Sequence, residues 1–562
     1  MTTVVALRNL MQSKAGAVTA IAICSFWWGA MGSPLAQSPT RSPESSARHR
    51  CSALRGIVIP RDAIGLPTNG GVVVSASLVM AADAGNSNGE FCKVLGSIRP
   101  VDPTAPDIKF EVNLPGNWNN RMLQMGGGGF DGTLVTGLGG VSNQPPSAPT
   151  PLALGYVTLG SDSGHEGAGG FDAAFALNDE ALANFGHLQI KKTHDAAMYL
   201  VKAHYGSLPQ HSYFAGASQG GHEGFVAAQK YPADFDGVIA QYPAYNVVLM
   251  HLGSQVFAKA LYGGNGAGWI NPGKVKTLVA AVYAACDGLD GVKDGIISNV
   301  PRCNKGFTMQ TVRATLRCEG GADTGNGCLS DAQLQTVDAL NSPFSLSFPT
   351  AGGLTRYPKW PILEGATFLN NTLGESAVPS RPPAATDAFQ LKPADATIRY
   401  IITRNPTLDP LTFDPNQWAA RIVQVSSILD ANSVDLTQFM GKGGKLILMV
   451  GSIDDSITSH NTLNYYNRLV ARFGQAALDS FVRFYYIPGF GHGNGVFNAK
   501  FDSLGALDGW VSRGQSPGAL IGIDGNAANK GRTRPLCVYP AWPKYNGSGD
   551  VNASSSFTCV AP

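Results

Sequence analysis

Ser218 is the residue of this chain whose surroundings best match those of a catalytic serine. Three serines stand in the pattern Gly-x-Ser-x-Gly, at positions 87, 218 and 516. The pattern has this meaning only at a sharp turn between a strand and a helix, where glycines keep side chains away from neighbouring backbone. Ser87 lies in a polar turn and Ser516 is followed by Pro517, so neither follows a predicted strand. An apolar run at 212–215 precedes Ser218 and a helical pattern follows it, so we predict a nucleophile there rather than a helix N-cap.

A serine hydroxyl becomes a strong nucleophile when a histidine accepts its proton and an acid orients that histidine. Asp454 comes just after the apolar run 445–450, and His492 comes just after the run 481–487. Groups that follow parallel strands meet at one edge of the sheet, and the order serine, acid, histidine is that of α/β-hydrolases. We therefore predict a triad of Ser218, Asp454 and His492.

Other acids and histidines offer alternatives to this triad. Asp455 is the alternative acid, and Asp454 itself could instead stabilise a turn after its strand. His460 is the alternative histidine, but it begins a predicted helix. Among the histidines that precede the acid in the chain, three are expected to be structural or pocket-lining: His165, His194 and His222.

Backbone N–H groups must stabilise the negative oxygen that forms when a serine attacks a carbonyl. In α/β-hydrolases one donor is the residue after the nucleophile, here Gln219, and the other lies in a loop after an earlier strand. Four glycines at 126–129 directly follow the apolar run 122–125. We predict Gly127 as the second donor, the alternative being a flexible glycine turn without a role in catalysis.

A second candidate site is the acidic segment that carries Asp287, Asp290 and Asp294, which fall within eight residues and alternate with glycines. Calcium prefers several hard oxygen ligands from carboxylates and backbone carbonyls. These three side chains, with the carbonyls of Val292 and Ile296, could encircle one structural Ca²⁺. The spacing is not that of an EF-hand, and the alternative is a pair of solvated Asp-Gly turns.

The elements that must position these residues alternate between strand-like and helix-like patterns. The alternation begins near residue 110, breaks at about 245 and resumes at 445. Strand-helix alternation predicts a mostly parallel sheet, and hence an α/β fold. We predict a core formed by residues 51–244 and 433–562, interrupted by a large inserted lid at 245–432.

The charge balance disfavours one class of partner, and the N-terminal segment indicates where the protein is located. Lys and Arg number 41 against 39 Asp and Glu, and only 14% of residues are charged, which disfavours nucleic acid as a partner. Arg8 and Lys14 precede an apolar stretch at 15–31, a pattern typical of a signal peptide, which we place at residues 1–36. A membrane anchor and lipid attachment at Cys24 are the alternatives. We expect a secreted or periplasmic protein with no membrane association after cleavage, preceded by a disordered lead-in at 37–50.

Eight cysteines remain after Cys24, and an even number in an exported chain indicates disulfides. Many pairings are possible in principle. No Cys-x-x-Cys occurs, which disfavours a metal-thiolate site. Proximity along the chain suggests four pairs: Cys51–Cys92, Cys286–Cys303, Cys318–Cys328 and Cys537–Cys559.

The chain resembles the tannase and feruloyl esterase family of α/β-hydrolases, which includes mono(2-hydroxyethyl) terephthalate hydrolase-like enzymes. The resemblance runs from Cys51 to the end. It implies a lid that holds calcium, the four disulfide pairs above and activity on esters of aromatic acids. It is carried by four segments: 212–221, 231–237, the acidic loop at 286–296, and Arg534-Pro535-Leu536-Cys537.

The sequence departs from the family pattern at the active site. Members usually carry a cysteine before the nucleophile and another after the catalytic histidine, joined as a disulfide, where this chain has Ala217 and Gly493. Because both cysteines are absent together, we expect the geometry of the serine and histidine either to be looser or to be held by packing. Arg399 and Arg404 lie near the lid position where the terephthalate enzymes hold a free carboxylate, but neither sits in a matching motif.

These observations favour a secreted serine esterase acting on feruloyl, galloyl or terephthaloyl-like esters. Two alternatives use the same scaffold: a catalytically silent protein that binds aromatic ligands, and an acyltransferase that delivers the acyl group to an alcohol. The sequence does not fix the oligomeric state.

Overall fold

A computed structural model describes residues 43–168, 170–369 and 371–562. The predicted signal peptide, the alternative lipid site at Cys24 and the start of the predicted lead-in lie outside these residues. The prediction of disorder is wrong for residues 43–50, because Pro43–Ser52 form a helix. Its last turn carries Cys51, which is buried and bonded to Cys92, and this crosslink fixes the helix on the sheet.

Seventeen strands occur in the described residues. In chain order they are β1 (Val58–Ile59), β2 (Gly71–Val79), β3 (Phe91–Ile98), β4 (Ile108–Pro115), β5 (Arg121–Met125), β6 (Val157–Ser161), β7 (His211–Ala217), β8 (Gly237–Gln241), β9 (Phe344–Ser345), β10 (Arg356–Tyr357), β11 (Lys445–Gly451), β12 (Val482–Ile487), β13 (Ala499–Lys500), β14 (Leu520–Asp524), β15 (Thr533–Leu536), β16 (Trp542–Tyr545) and β17 (Phe557–Val560).

Ten of these strands form one mixed sheet in the order β1-β2-β3-β4-β6-β5-β7-β8-β11-β12. The pairings from β6 to β12 are parallel, and those from β1 to β6 are antiparallel. Strands β8 and β11 are continuous apolar runs, which is typical of strands covered on both faces. Strands β5, β7, β11 and β12 coincide with the apolar runs 122–125, 212–215, 445–450 and 481–487, whereas the antiparallel strands β2 and β3 were not foreseen.

The α-helices of the described residues are α1 (Pro43–Ser52), α2 (Asp179–Ala183), α3 (Gln189–Tyr205), α4 (Gln219–Lys230), α5 (Val247–Gly266), α6 (Pro272–Cys286), α7 (Val300–Gly306), α8 (Met309–Leu316), α9 (Asp331–Leu340), α10 (Leu391–Ala396), α11 (Ala419–Leu429), α12 (Thr437–Gly441), α13 (Ser459–Phe473), α14 (Gln475–Leu478) and α15 (Ser503–Arg513). π-Helical turns at Asn184–Leu188 and Thr397–Ile402 adjoin α3 and α10.

Strands β8 and β11 are neighbours in the sheet, although about two hundred residues of chain separate them. That intervening segment contributes helices α5 to α12 and the ribbon β9–β10. Its apolar side chains form a cluster of their own, which also takes in Phe130 and Phe185 from the loops above the sheet. A separate cluster lies around the central strands and packs Phe225 of α4 and Leu507 of α15 against them.

All four disulfides join the cysteines suggested by proximity along the chain: Cys51–Cys92, Cys286–Cys303, Cys318–Cys328 and Cys537–Cys559. Such crosslinks are typical of proteins that fold in an oxidising compartment. Within the described residues, no helix has both the length and the apolar character needed to cross a bilayer.

Candidate active site

Ser218 sits at a strained turn between β7 and α4, as its motif predicts. Its φ of 60° and ψ of −118° are unusual for a residue with a side chain. A Cβ at Gly216 would lie 2.3 Å from the carbonyl oxygen of Gly220, and a Cβ at Gly220 would lie 2.9 Å from that of Gly127. The glycines are therefore required because the turn presses strand, helix and glycine loop together.

The structure brings the three predicted side chains into one hydrogen-bonded chain. The Nε2 atom of His492 lies 2.9 Å from Oγ of Ser218, and its Nδ1 atom lies 2.9 Å from Oδ2 of Asp454. Asp454 is fully buried, and its Oδ1 accepts the N–H groups of Ser456 and Ile457. The carboxylate is thus fixed on one side by backbone donors and presents its other oxygen to the imidazole.

The alternative acid and histidine lie outside this chain. Asp455 is buried beside Asp454, and burial together with the charge of Asp454 raises its pKa to about 7. Nε2 of His460 lies 2.8 Å from Glu364 Oε1. Burial opposes the ionisation of Glu364, but the charges of His460 and Lys359 lower its pKa to about 2. This pair is a buried ionic contact away from Ser218.

The three remaining histidines are structural. Nε2 of His165 bonds the carbonyl of Phe130, Nδ1 of His194 bonds Asp195, and Nε2 of His222 bonds the carbonyl of Leu429. Burial lowers the pKa of His165 and of His222 to about 4. Those two rings are therefore neutral at ordinary pH and serve as hydrogen-bonding core residues.

The oxyanion donors fit the prediction in one case and require a correction in the other. The N–H of Gln219, at the start of α4, has no hydrogen-bond partner among the described residues and lies next to Ser218. The N–H of Gly127 is already donated to Oε2 of Glu223, 3.0 Å away. Gly128 and Gly129 carry N–H groups with no partner in the described part of the chain, and Gly129 lines the cavity beside Ser218. The glycine loop can still supply a donor, but from 128 or 129.

Tyr242 packs where the family disulfide is missing. Its ring centroid lies 4.6 Å from that of His492, and its hydroxyl accepts a hydrogen bond from Nδ2 of Asn143. A Cβ on Gly493 would come within 3.2 Å of that hydroxyl. The tyrosine therefore fills the space beside the histidine, which agrees with the expectation that packing replaces the crosslink between positions 217 and 493.

A cavity of about 280 Å³ opens onto Ser218 and His492. Its polar lining includes His251, Ser254 and Gln390. Nδ1 of His251 bonds Oγ1 of Thr397, and burial lowers the pKa of this histidine to about 3, so its ring is neutral. Among the described residues that line the cavity, none is Lys, Arg, Asp or Glu. The apolar lining is supplied chiefly by Phe130, Phe171, Val247, Met250, Phe389 and Ile457.

The two arginines near the lid do not enter this cavity. Arg399 bonds Asp395 and the carbonyl of Pro406, and it lines a more open groove alongside. Arg404 bonds Asp179 and is part of neither lining. Neither guanidinium is placed to hold a carboxylate inside the cavity.

The acidic loop at 287–296 carries the predicted calcium-binding groups, but both oxygens of Asp287 already accept the N–H of Gly295. Oδ2 of Asp290 is buried and has no hydrogen-bond partner among the described residues, and burial raises the pKa of Asp290 to about 6. Within that part of the chain, the carbonyls of Val292 and Ile296 also accept no hydrogen bond. Asp294, however, bonds Arg534 through Oδ2 at 2.5 Å.

The carboxylates of this loop are not drawn tightly together. In the described part of the chain, the one group of three potential metal ligands with ligand atoms within 4.8 Å of one another is His194, Asp195 and Asp234. Lys191 bonds both carboxylates of that group, which accounts for it as an ion-pair cluster.

Sequence reasoning missed three groups at the site. His251 stands on α5, the first helix of the intervening segment, where nothing in the local pattern distinguishes it. Asp131 and Glu223 lie behind the glycine loop and are both buried. The sequence offers one signal for the latter two, because each is an acid a few residues after a glycine-rich turn.

Comparison with known proteins agrees with this geometry. The sequence profile of the family "Tannase and feruloyl esterase" matches residues 92–560. An uncharacterized esterase of Agrobacterium fabrum is 38% identical over 94% of this chain and 96% of its own. The mono(2-hydroxyethyl) terephthalate hydrolase of Piscinibacter sakaiensis is 30% identical over 84% of this chain and 85% of its own. The crystal structure of feruloyl esterase B from Aspergillus oryzae superimposes with a TM-score of 0.72 at 24% identity, covering 91% of this chain and all of that one.

Proposed function

The chain belongs to the tannase and feruloyl esterase family and is a carboxylic ester hydrolase, and we propose that its substrates are esters of aromatic acids without a second charged group. Hydrolysis proceeds through a serine acyl-enzyme. The observation that carries the proposal is the hydrogen-bonded chain from Ser218 through His492 to Asp454, beside an apolar cavity.

Each step of the mechanism assigns a role to one of these groups. Ser218 Oγ attacks the ester carbonyl while His492 Nε2 takes its proton, and the N–H of Gln219 with one from Gly128 or Gly129 stabilises the oxyanion. The carbonyl re-forms as the alcohol leaves with the proton from His492. Water then attacks the acyl-enzyme by the same route and releases the acid. Asp454 orients the imidazole and stabilises its charged form.

The size and polarity of the cavity support an aromatic acyl group. A dry cavity of about 150 Å³ admits benzene, so about 280 Å³ gives room for one ring with substituents. The phenylalanines at 130, 171 and 389 offer faces and edges for such a ring.

No Lys or Arg is among the described residues that line the cavity, which favours acids without a second charged group. A second carboxylate on the acyl group would be buried without a partner, which costs several kcal/mol. His251 is neutral and lines the cavity, so it can hydrogen bond a phenolic hydroxyl of the ring. This favours feruloyl or galloyl esters over monoesters of terephthalate.

A substrate panel with two variants tests the proposal. We expect hydrolysis of methyl ferulate or methyl gallate, weak hydrolysis of mono(2-hydroxyethyl) terephthalate, and loss of at least about 10⁴-fold in kcat for Ser218→Ala. Labelling of the wild type by a serine-directed phosphonate separates an esterase from a silent binding protein. Activity that survives Ser218→Ala, or a clear preference for the terephthalate monoester, contradicts the proposal.

The specificity argument has its own test in His251→Leu, which keeps the volume and removes the polar ring. Because a hydrogen bond contributes about 1 kcal/mol, kcat/KM for methyl ferulate should fall about fivefold. The value for methyl cinnamate, which lacks the hydroxyl, should change little. An equal fall for both esters would show that His251 acts through packing alone.

Two further features extend the proposal beyond the site. A structural Ca²⁺ would be held by Asp287, Asp290 and Asp294 with the carbonyls of Val292 and Ile296. The unpartnered Asp290 oxygen supports this site.

Export as a secreted or periplasmic protein is supported by the four disulfides and the signal-like N-terminus.

A further inference from the structure

Two acidic side chains are buried together behind the glycine loop, where the proposed mechanism gives them no role. Asp131 ends that loop and is 6% exposed, and Glu223 lies on α4 and is 1% exposed. The two carboxyl groups are within hydrogen-bonding reach of each other. Two ionised carboxylates in such contact would repel each other strongly, so the pair needs a proton to be stable.

The surrounding donors indicate which carboxyl carries that proton. Glu223 accepts two hydrogen bonds, from the N–H of Gly127 to Oε2 at 3.0 Å and from Nε2 of Gln189 to Oε1 at 2.8 Å. Both of its oxygens therefore act as acceptors, as in a carboxylate. Asp131 accepts a hydrogen bond from Oγ of Ser163 at Oδ2, but its buried Oδ1 has no donor among the described residues. A proton on that oxygen, shared with Glu223, satisfies every oxygen of the pair.

The pair brackets the part of the loop that faces the nucleophile. Glu223 holds the N–H of Gly127 at one end, and Asp131 forms the other end, where its own N–H bonds the carbonyl of Gly128. Between them lie Gly128 and Gly129, whose N–H groups have no hydrogen-bond partner among the described residues, and Gly129 lines the cavity beside Ser218. A Cβ at Gly127 would lie only 2.2 Å from Oδ1 of Asp131, so the loop is folded tightly onto the pair.

Backbone strain marks the same place. Asp131 has a φ of 56° and Ser163 a φ of 66°, both in the left-handed region that residues with side chains rarely adopt. Such conformations persist only where surrounding contacts hold them. The hydrogen bond between these two residues is one such contact.

We propose that Asp131 and Glu223 share one proton and act as positioning residues, fixing the glycine loop so that its free N–H groups face the oxyanion at Ser218. The inference rests on the proposed function, because it concerns the same acyl transfer. It adds to that function a dependence on a proton that lies outside the triad.

The direction of the pH dependence follows from the burial of the pair. Burial raises the pKa of both carboxyls, and the charge of one carboxylate raises the pKa of the other. The shared proton is therefore present at neutral pH and leaves as the pH rises. Once it leaves, repulsion separates the carboxylates, the loop loosens, and kcat falls on the alkaline side.

Few other titratable groups face the pair from the elements around it. His165, from the loop after β6, and His222, on α4, are neutral because burial lowers the pKa of each to about 4. Asp162 precedes Ser163, and burial raises its pKa to about 7, so it is the rival source of an alkaline effect. Lys192 on α3 is engaged by Glu180 and Asn184.

Matched variants separate a shared proton from simple packing. Asp131→Asn keeps the shape, tolerates the left-handed backbone and offers an N–H in place of the shared proton. It should restore most of the kcat that Asp131→Ala loses, the latter falling about 10²-fold with KM little changed. Glu223→Gln replaces an acceptor by an amide N–H facing Gly127 or Gln189, so it should lose kcat to a similar extent as Asp131→Ala.

The pH profile of kcat, measured on the full chain with methyl ferulate, is the decisive readout. The wild type and the control Asp162→Asn should lose activity at alkaline pH, whereas Asp131→Asn should not. An alkaline fall retained in Asp131→Asn, or a loss in that variant as large as in Glu223→Gln, overturns the inference while leaving the esterase proposal intact.

An infrared titration tests the shared proton without relying on turnover. The difference spectrum between the wild type and Asp131→Asn should show the carbonyl band of a buried carboxylic acid, and this band should disappear at alkaline pH. Circular dichroism of each variant verifies folding. If no such band exists in the folded wild type, the shared proton is wrong whatever the activity. Failure of Ser218→Ala to abolish hydrolysis would instead count against the proposed function.

Discussion

The serine half of the site, residues 126–131 and 216–223, is held by segments that press backbone against backbone. The histidine half, residue 242 with 454–457 and 489–497, depends on side chains from distant parts of the chain. In the serine half, Gly220 donates its N–H to Gly127 and a Cβ at Gly216 would strike Gly220. In the histidine half, Tyr242 packs on His492 and Arg532 bonds the carbonyl of Val496.

This contrast has a consequence for how each half tolerates change. Contacts between backbones leave no room for an added atom, so the serine half should be most sensitive to gaining a methyl group. Contacts through side chains are lost when a side chain is shortened, so the histidine half should be most sensitive to truncation. Four experiments test that difference, beginning with the variant that should lose the most activity.

Removing the charge of Asp454 should have the largest effect. Asp454→Asn keeps an acceptor for Ser456 and Ile457 but no longer fixes the ring of His492, so kcat should fall about 10⁴-fold. The matched control is Asp455→Asn, which should leave kcat near the wild-type value. Steady-state kinetics of the two variants decide the assignment of the acid, and a larger loss in Asp455→Asn would reverse it.

Adding one methyl group to the glycine loop should come next. In Gly127→Ala the new Cβ would lie 2.2 Å from Oδ1 of Asp131, so the loop must shift and kcat should fall about 10²-fold. Gly128→Ala is the control, because a Cβ there meets no atom within 4 Å. Equal activity of the two variants would mean that the loop is not tightly held.

Shortening Tyr242 should produce a smaller loss in the histidine half. Tyr242→Leu removes the ring that packs on His492, and since such contacts are worth about 1 kcal/mol, kcat should fall about fivefold with KM little changed. Tyr242→Phe keeps the ring and loses only the bond from Asn143, so it should stay close to wild type. If Tyr242→Phe loses as much as Tyr242→Leu, the hydrogen bond rather than packing positions the histidine.

Removal of calcium should have the smallest effect on turnover and act mainly on stability. The acidic loop contacts the histidine half, since a Cβ at Gly489 would lie 3.2 Å from Ile296. Chelation should lower the Tm of the wild type by several degrees, because a bound ion stabilises the folded state by mass action. Asp290→Asn should have a lower Tm that chelation does not change further, and Glu319→Gln, an exposed acid elsewhere in the intervening segment, should respond as the wild type does. A wild-type Tm that is independent of the chelator would exclude the ion.

The positions of Ser218, Asp454 and His492 could be predicted because each lies just beyond a strand with a strong apolar pattern. Parallel strands bring their ends together whatever the length of chain between them, so a local pattern was enough to predict a distant contact. The disulfide pairs were predictable for a related reason, since each partner lies close along the chain.

The remainder depended on contacts that leave no local signal. The donor at Gly127 was wrongly predicted because Glu223 reaches its N–H from another element, and no spacing rule connects the two residues. Helix α1 lies largely within the segment predicted to be disordered, because residues 43–50 are polar and have no apolar period that would indicate a helix. Strands β2 and β3 alternate polar with apolar residues along an antiparallel edge, which gives a weaker pattern than the continuous runs of β8 and β11.

The short reach of the disulfides has a consequence for assembly of the chain. Their partners are 41, 17, 10 and 22 residues apart, whereas the paired strands β8 and β11 are separated by about two hundred residues of chain. A chain made from its N-terminus can therefore oxidise Cys51 with Cys92 before any other of these thiols has been synthesised. Each later pair likewise becomes complete before the next pair begins. The order of synthesis therefore reduces mispairing of the cysteines. The first three disulfides can form before β12, the last parallel strand of the sheet, has been synthesised.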